Sequence, residues 1–247
     1  MDIEYNDYNR DNLKYFYESK MKKVLFIFLL FAIISLNVNS IAEDFNNSVM
    51  HKVDENLYKI RNILINNSKK EISFTAEFNM ERGLIELILC GKKGKLHESV
   101  LKTDIIPSHL QTALLLLGLE CGQNLDFQGQ DKTPKGDSLL IYAEWTDSLD
   151  NKIYVRIEEL VYNKPQKRKM KETHWIFLGS KFVDDRFMAD IEESIITTYH
   201  DPFSIIDNPL KTGNDDTLYE VNSSIVPKKG TEVKIIIKSI KKMEGDK

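Results

Sequence analysis

The stretch EISFTAEFNM, at residues 71–80, is the feature that most constrains the fold. Apolar and polar residues alternate along it, with Ile72, Phe74, Ala76 and Phe78 on one face. Alternation with a period of two predicts an antiparallel strand with one buried face. TEVKIIIKSI, at residues 231–240, repeats the pattern. Because such stretches follow one another without long helices between them, the sequence argues against a parallel, doubly wound sheet.

One segment has the features of a helix. Ser108 and Gln111 have the spacing of a capping box, and Gly118 stands where a helix would end. The leucines between them predict a helix that is buried on most sides. The predicted fold class is therefore α+β: mainly antiparallel β-sheet packed around one short apolar helix, at about Ser108–Gly118.

The N-terminal region predicts export. Lys22 and Lys23 precede an apolar run from Val24 to Leu36, and small residues follow it, as in a secretory signal peptide. The run is shorter than the roughly 20 residues of a membrane-spanning helix. Residues 1–20 are acidic, which does not suit the start of a signal peptide, so Met21 is the expected start.

The sequence thus divides into five predicted segments. They are a spurious or disordered extension (1–20), a signal peptide (21–42), a flexible lead-in (43–56), one domain (57–240) and a tail (241–247). The predicted location is periplasmic or secreted. The formal net charge of −4 gives no electrostatic reason to expect a nucleic-acid partner.

The two cysteines, Cys90 and Cys121, leave two alternatives open. In an oxidising compartment they would form a disulfide; otherwise they are two buried thiols that pack as small apolar groups. Two cysteines are too few for a ferredoxin-type cluster.

Candidate chemistry centres on two histidines. His97, Glu98 and His109 are candidate catalytic residues, and His97, His109, Glu86 and Asp104 are candidate ligands of a divalent metal. If His97 and Glu98 lie in a strand, their side chains point to opposite faces, which disfavours a set that uses both. The alternative interpretation is that these side chains only stabilise the turn before the helix.

Three blocks of sequence resemble the YdjY domain family. They are GKLHES at residues 94–99, PSHL at 107–110 and ALLLLG at 113–118, and later segments extend the resemblance over residues 57–240. The resemblance implies an exported bacterial protein of undefined biochemical role. Some relatives are associated with ferredoxin-like iron–sulphur modules, but this chain lacks the cysteines that such a module requires.

Three functions follow as hypotheses. The first is a non-enzymatic periplasmic binding or accessory module, since no cofactor fingerprint or activated nucleophile is recognisable. The second is a metal-dependent or acid–base enzyme that uses His97 and His109. The third is a structural partner of a membrane or redox complex.

Overall fold

The structure is a computed structural model, and it describes residues 50–240. The predicted extension (1–20), signal peptide (21–42) and tail (241–247) lie outside the described residues. Met50–Asp54, predicted as part of a flexible lead-in, form the first strand. None of the described helices is long and apolar enough to cross a membrane.

Strands make up most of the described chain. The first eight are β1 (Met50–Asp54), β2 (Leu57–Ile60), β3 (Ile63–Asn66), β4 (Glu71–Phe78), β5 (Leu87–Gly91), β6 (Ser99–Thr103), β7 (Ser138–Thr146) and β8 (Lys152–Arg156). The others are β9 (Val161–Asn163), β10 (Arg168–Lys169), β11 (Trp175–Phe177), β12 (Phe182–Val183), β13 (Arg186–Phe187), β14 (Ser194–Thr197), β15 (Ile206–Asp207), β16 (Tyr219–Val221) and β17 (Glu232–Ser239). The α-helices are α1 (Pro107–Leu116) and α2 (Met188–Glu192).

Eight of these strands close into a barrel. Their order around the ring is β4, β17, β7, β11, β15, β14, β5 and β6, and the pairing of β6 with β4 closes it. The predicted α+β fold, a sheet packed around a helix, is therefore wrong. The sheet curls until its two ends pair, so inward-facing side chains of the strands themselves fill the space that the helix was expected to fill.

The strand pattern at residues 71–78 is confirmed, since Ile72, Phe74, Ala76 and Phe78 are all buried. Along its whole length β4 pairs with β17, whose inward side chains are equally buried. The ring of Phe78 meets that of Trp145, on β7, edge-on at 5.4 Å. These contacts place the core between the strands of the barrel.

Helix α1 is real but contributes only one stripe to this core. Leu110, Ala113 and Leu114 are buried, whereas Leu115 and Leu116 are 48% and 51% exposed. The expectation of a helix buried on most sides is thus wrong, because a barrel has no room for the helix in its interior.

The N-terminus of α1 also differs from the prediction. The position before the helix is occupied by Ile106, with no side-chain cap. Instead, the backbone N–H of Ser108 donates to Oδ1 of Asp190, on α2, at 2.8 Å. Gln111 does not complete a capping box, and its buried Oε1 has no hydrogen-bond partner among the described residues. A carboxylate from another element therefore satisfies this helix end.

Three strands extend the sheet beyond the barrel, and we call β1, β2 and β3 the arm. Strand β3 pairs with residues 71–73 of β4, and β6 pairs with residues 76–78 on the same edge. The arm and the barrel wall therefore diverge near Thr75, and a concave surface lies between them.

Candidate functional site

Two acids far apart in sequence meet at the entry to strands β5 and β6. These strands are parallel, and the N–H of Glu86 donates to the carbonyl of Glu98 at 3.0 Å. Nζ of Lys95 lies 3.0 Å from Oε2 of Glu86 and 3.2 Å from Oε1 of Glu98. The parallel register thus creates a carboxylate pair that one lysine bridges.

Burial dominates the electrostatics of this pair. It raises the pKa of Glu98, and the charge of Glu86 adds to the effect, while Lys95 opposes it. Burial lowers the pKa of Lys95, but the two carboxylates outweigh burial and leave this pKa above its ordinary value. A carboxyl that binds its proton more tightly beside a second carboxylate is the arrangement from which general acids are built.

His97 joins this pair from the solvent side. Leu96–Glu98 form a turn of 3-10 helix rather than a strand, so the rule that neighbours point to opposite faces does not apply. Nε2 of His97 lies 3.6 Å from Oε2 of Glu98, and its side chain is 80% exposed. The structure therefore brings together three predicted site residues: Glu86, His97 and Glu98.

Two other predicted site residues do not join them. Asp104 pairs with Lys92 at 2.5 Å, and both side chains are exposed. His109 lies in the first turn of α1, where its ring takes part in no hydrogen bond or ion pair with a described residue. Within residues 50–240, no three His, Cys, Asp or Glu side chains are grouped so as to hold a metal ion. The metal site and the catalytic role of His109 stay predictions.

The two cysteines are free thiols in the structure. Cys90 is buried on β5, and burial raises the pKa of its thiol to about 11. Cys121 is half-buried and contacts Gly179. Since a high pKa suppresses the reactive thiolate, Cys90 packs as a small apolar side chain.

The structure contains a buried polar network that was not predicted from the sequence. Nδ1 of His200 lies 2.8 Å from Oδ1 of Asp207, whose second oxygen accepts from the N–H of Asp201 at 2.9 Å. The hydroxyl of Ser194 donates to Asp201 at 2.8 Å. Burial raises the pKa of Asp207, and His200 opposes that rise.

All four side chains of this network are at most 4% exposed, so it joins the parallel strands β14 and β15 rather than facing a ligand. The signal in the sequence was three polar residues (His200, Asp201 and Asp207) set between apolar strands.

A groove lies between the arm and the outer face of the barrel. It has a volume of about 780 Å³, and it adjoins a hollow of about 460 Å³ that shares Lys59, Asn62, Thr75 and Glu232 with it. Ser73 lines the groove but is only 7% exposed, although it points away from the core, because the arm curves over it. Trp145 also lines the groove.

Charged side chains of both signs line this groove. All five make no ion pair or side-chain hydrogen bond with any described residue: Lys59, Lys152, Lys234, Glu144 and Glu232. Their donors and acceptors are available to a ligand. The sequence showed the polar faces of these strands, but not that the arm would make them concave.

Comparison with known proteins gives one match. A family model described as YdjY domain matches residues 63–238, which include strand β3 of the arm and the barrel up to residue 238 of β17. No curated protein and no solved structure matches the chain.

Proposed function

The chain belongs to the YdjY domain family, and from that premise we propose that it is an exported binding or accessory module that holds an extended polar ligand in its groove. The observation that carries the proposal is the set of five charged side chains that line the groove and pair with no residue of the described range 50–240. A groove of several hundred Å³ is within the size range of ligand sites. Its mixture of lysines, acids and hydroxyls suits hydrogen bonding to a polar chain rather than burial of an apolar one.

Export is the second part of the proposal, and the sequence from Met21 to Ala42 supports it. The full chain is expressed in a bacterial host with a C-terminal tag, the cells are fractionated, and the exported protein is sequenced from its N-terminus. We expect a mature protein that begins near residue 43. Recovery of a chain that retains residues 1–20, or of cytoplasmic protein alone, would contradict export.

The groove is tested by binding. The exported protein is titrated with soluble tetrasaccharides (chitotetraose, cellotetraose and maltotetraose) and with a polar decapeptide, using calorimetry. The double variant Lys152→Glu/Lys234→Glu is expected to weaken binding of whichever probe binds. Lys135→Glu/Lys211→Glu is the matched control, because it changes the net charge equally outside the groove. Equal affinities of the two double variants, or no binding of any probe, would contradict the proposal.

A second candidate function is acid–base catalysis at Glu86 and Glu98. The observation that favours it is the shared lysine together with the raised pKa of Glu98. Chromogenic esters and glycosides are the test substrates, with Glu98→Gln and Glu86→Gln as the variants. Turnover that is lost in both variants and kept in His109→Ala would support this function, whereas turnover that survives Glu98→Gln would exclude it.

A further inference from the structure

We propose that the groove continues onto a tyrosine platform, formed by Tyr142 and Tyr154, and that its ligand is a glycan with a pyranose ring stacked on Tyr154. The proposal rests on the binding function proposed above, and it names the class of ligand.

The platform consists of two rings on neighbouring strands. Tyr142, on β7, and Tyr154, on β8, are stacked with their centroids 5.0 Å apart and their planes 12° from parallel. Nζ of Lys238, on β17, lies 5.0 Å from the centroid of Tyr142 and 5.9 Å from that of Tyr154. The guanidinium of Arg156 lies 5.6 Å from Tyr142. The two cations hold the rings in place before any ligand arrives.

One face of this stack is open. Among the strands of residues 50–240, β8 pairs only with β7, and none of them lies on the far side of Tyr154. Tyr154 is 46% exposed, whereas Tyr142 is partly covered by its neighbours. A large, fixed and half-exposed ring on a strand is a surface on which a flat ligand can stack.

The platform is continuous with the groove. Tyr154 lies opposite Glu144 on β7, and Glu144 in turn lies opposite Lys234 on β17. Both charged residues line the groove, as does Lys152, which lies two positions before Tyr154 on the same face of β8. Side chains that are opposite one another on neighbouring strands are about 5 Å apart, so a ligand in the groove reaches the ring.

The neighbours of the ring favour a glycan over a peptide. A pyranose presents a face of C–H groups, which pack on an aromatic ring, and a rim of hydroxyls, which donate and accept hydrogen bonds. Glu144 and Lys152 are neighbours of the ring on the sheet, and Lys234 is one strand beyond Glu144; their donors and acceptors pair with no described residue. A peptide would instead need apolar pockets for alternate side chains, and hydroxyl and charged groups dominate the lining next to Tyr154.

The test compares three single variants of the full, exported protein with the tetrasaccharides named above. Tyr154→Ala is expected to raise the Kd about tenfold, the ratio expected for one aromatic contact. Tyr154→Phe keeps the ring, so its Kd should stay within about twofold of the wild-type value. Phe127→Ala removes an aromatic ring that is more exposed than Tyr154 (61% against 46%) and lies outside the groove, and it should bind as the wild type does. Calorimetry gives the Kd of each variant.

The outcomes separate this proposal from the one on which it rests. If Lys152→Glu/Lys234→Glu abolishes tetrasaccharide binding and Tyr154→Ala does not change it, the groove is supported as the binding site and a role of the tyrosine platform is excluded. If only the decapeptide binds, a glycan is excluded as the ligand and the groove is still supported as the binding site. If none of the probes binds, both proposals fail.

Discussion

At the scale of single residues, Glu158 makes the most consequential buried contacts. Its Oε1 accepts from Nη2 of Arg156 at 2.7 Å, from the N–H of Thr173 at 3.0 Å and from the indole N–H of Trp175 at 3.1 Å. Glu158→Ala leaves all three donors without that acceptor, at a position where the carboxylate itself is fully buried. We expect it to lower the free energy of unfolding by about 3 kcal/mol, measured by urea denaturation followed by circular dichroism.

The matched control for this prediction is the neighbouring residue. The carboxylate of Glu159 pairs with Lys169, whose side chain is 48% exposed, so Glu159→Ala should change the stability little. If the two variants lost the same amount of stability, the burial of Glu158 would not be the cause of the loss.

The two cysteine thiols are expected to differ in reactivity. With a pKa of about 11, Cys90 is ionised only to about one part in a thousand at pH 8, and it is also buried. We expect native protein treated with iodoacetamide at pH 8 to gain one adduct, on Cys121, and a second only after unfolding in urea. Mass spectrometry of peptides gives the sites. The variant Cys121→Ser should gain no adduct while it is native. Wild-type protein that reacts only after reduction would instead contain the disulfide.

The raised pKa of Glu98 predicts a dependence of stability on pH. Because the folded state binds this proton more tightly than the unfolded state, the contribution of Glu98 is greatest below its ordinary pKa of 4.5. It is lost as the pH rises through the raised value. The glutamine in the variant Glu98→Gln cannot ionise. The difference in stability in favour of this variant should therefore grow as the pH rises across that range, as measured by urea denaturation at successive pH values. A constant difference between the two proteins would contradict the burial of this carboxyl.

At this scale the sequence selected residues but did not predict how they are grouped. His97, Glu98 and Glu86 were candidates in two different sets, and the structure brings the three together; that they form a functional site stays a prediction. The reason was not visible, because it depends on the parallel register of β5 with β6 and on the 3-10 turn at Leu96–Glu98. Tyr154 was not selected, because an aromatic residue in a strand is most often core.

At the scale of elements, the end of α1 follows the predicted rule. Gly118 has a φ of +83°, its N–H donates to Leu115 at 2.9 Å, and the N–H of Leu119 donates to Leu114 at 3.3 Å. These bonds form a Schellman motif. A Cβ added at Gly118 meets no atom of the described residues within 4 Å. Gly118→Ala should therefore lower the free energy of unfolding only by the cost of the left-handed backbone conformation, about 1 kcal/mol.

Thermal and urea denaturation check this value. Gly118→Asn is the control. Because asparagine adopts the left-handed region at a lower cost than alanine, this variant should lose less stability. An alanine variant as stable as the wild type would show that the motif is not maintained in solution.

The other end of the same helix shows the limit of local rules. Ser108 and Gln111 have the right spacing for a capping box, yet the partner of the Ser108 N–H is Asp190. Sequence spacing describes what neighbouring residues can do for each other. It contains no information about a carboxylate delivered by another element, and that contact depends on where α2 packs.

At the scale of the whole molecule, the strand content was predictable and the closure was not. Alternating patterns identify strands and their buried faces, but a flat sheet and a closed ring bury the same faces. Closure depends on the pairing of β6 with β4, next to the point where β3 leaves the same edge. There the hydroxyl of Thr103 donates to the carbonyl of Thr75 at 2.7 Å. The groove is a consequence of that divergence, so it could not be foreseen either.

This architecture predicts two levels of stability in one chain. Strand β17 pairs along its length with both β4 and β7, and its inward side chains are buried, so its amides should exchange only when the whole barrel unfolds. In the arm, every side chain of β1 is exposed, and β2 is the only described strand with which β1 pairs. We expect hydrogen exchange followed by mass spectrometry to show rapid exchange at residues 50–60 and slow exchange at residues 71–78 and 232–239.

Added urea distinguishes local from global opening. Below the unfolding transition, exchange at residues 232–239 should accelerate steeply as urea is raised, whereas exchange at residues 50–60 should hardly change, because opening the arm exposes little buried surface. If both regions exchange at the same rate and respond equally to urea, the arm and barrel unfold as one unit. The arm would then be a fixed wall of the groove, and ligand binding would leave its exchange rate unchanged. If the arm opens independently, a ligand that contacts Lys59 should slow exchange at residues 57–60 by holding the arm against the barrel.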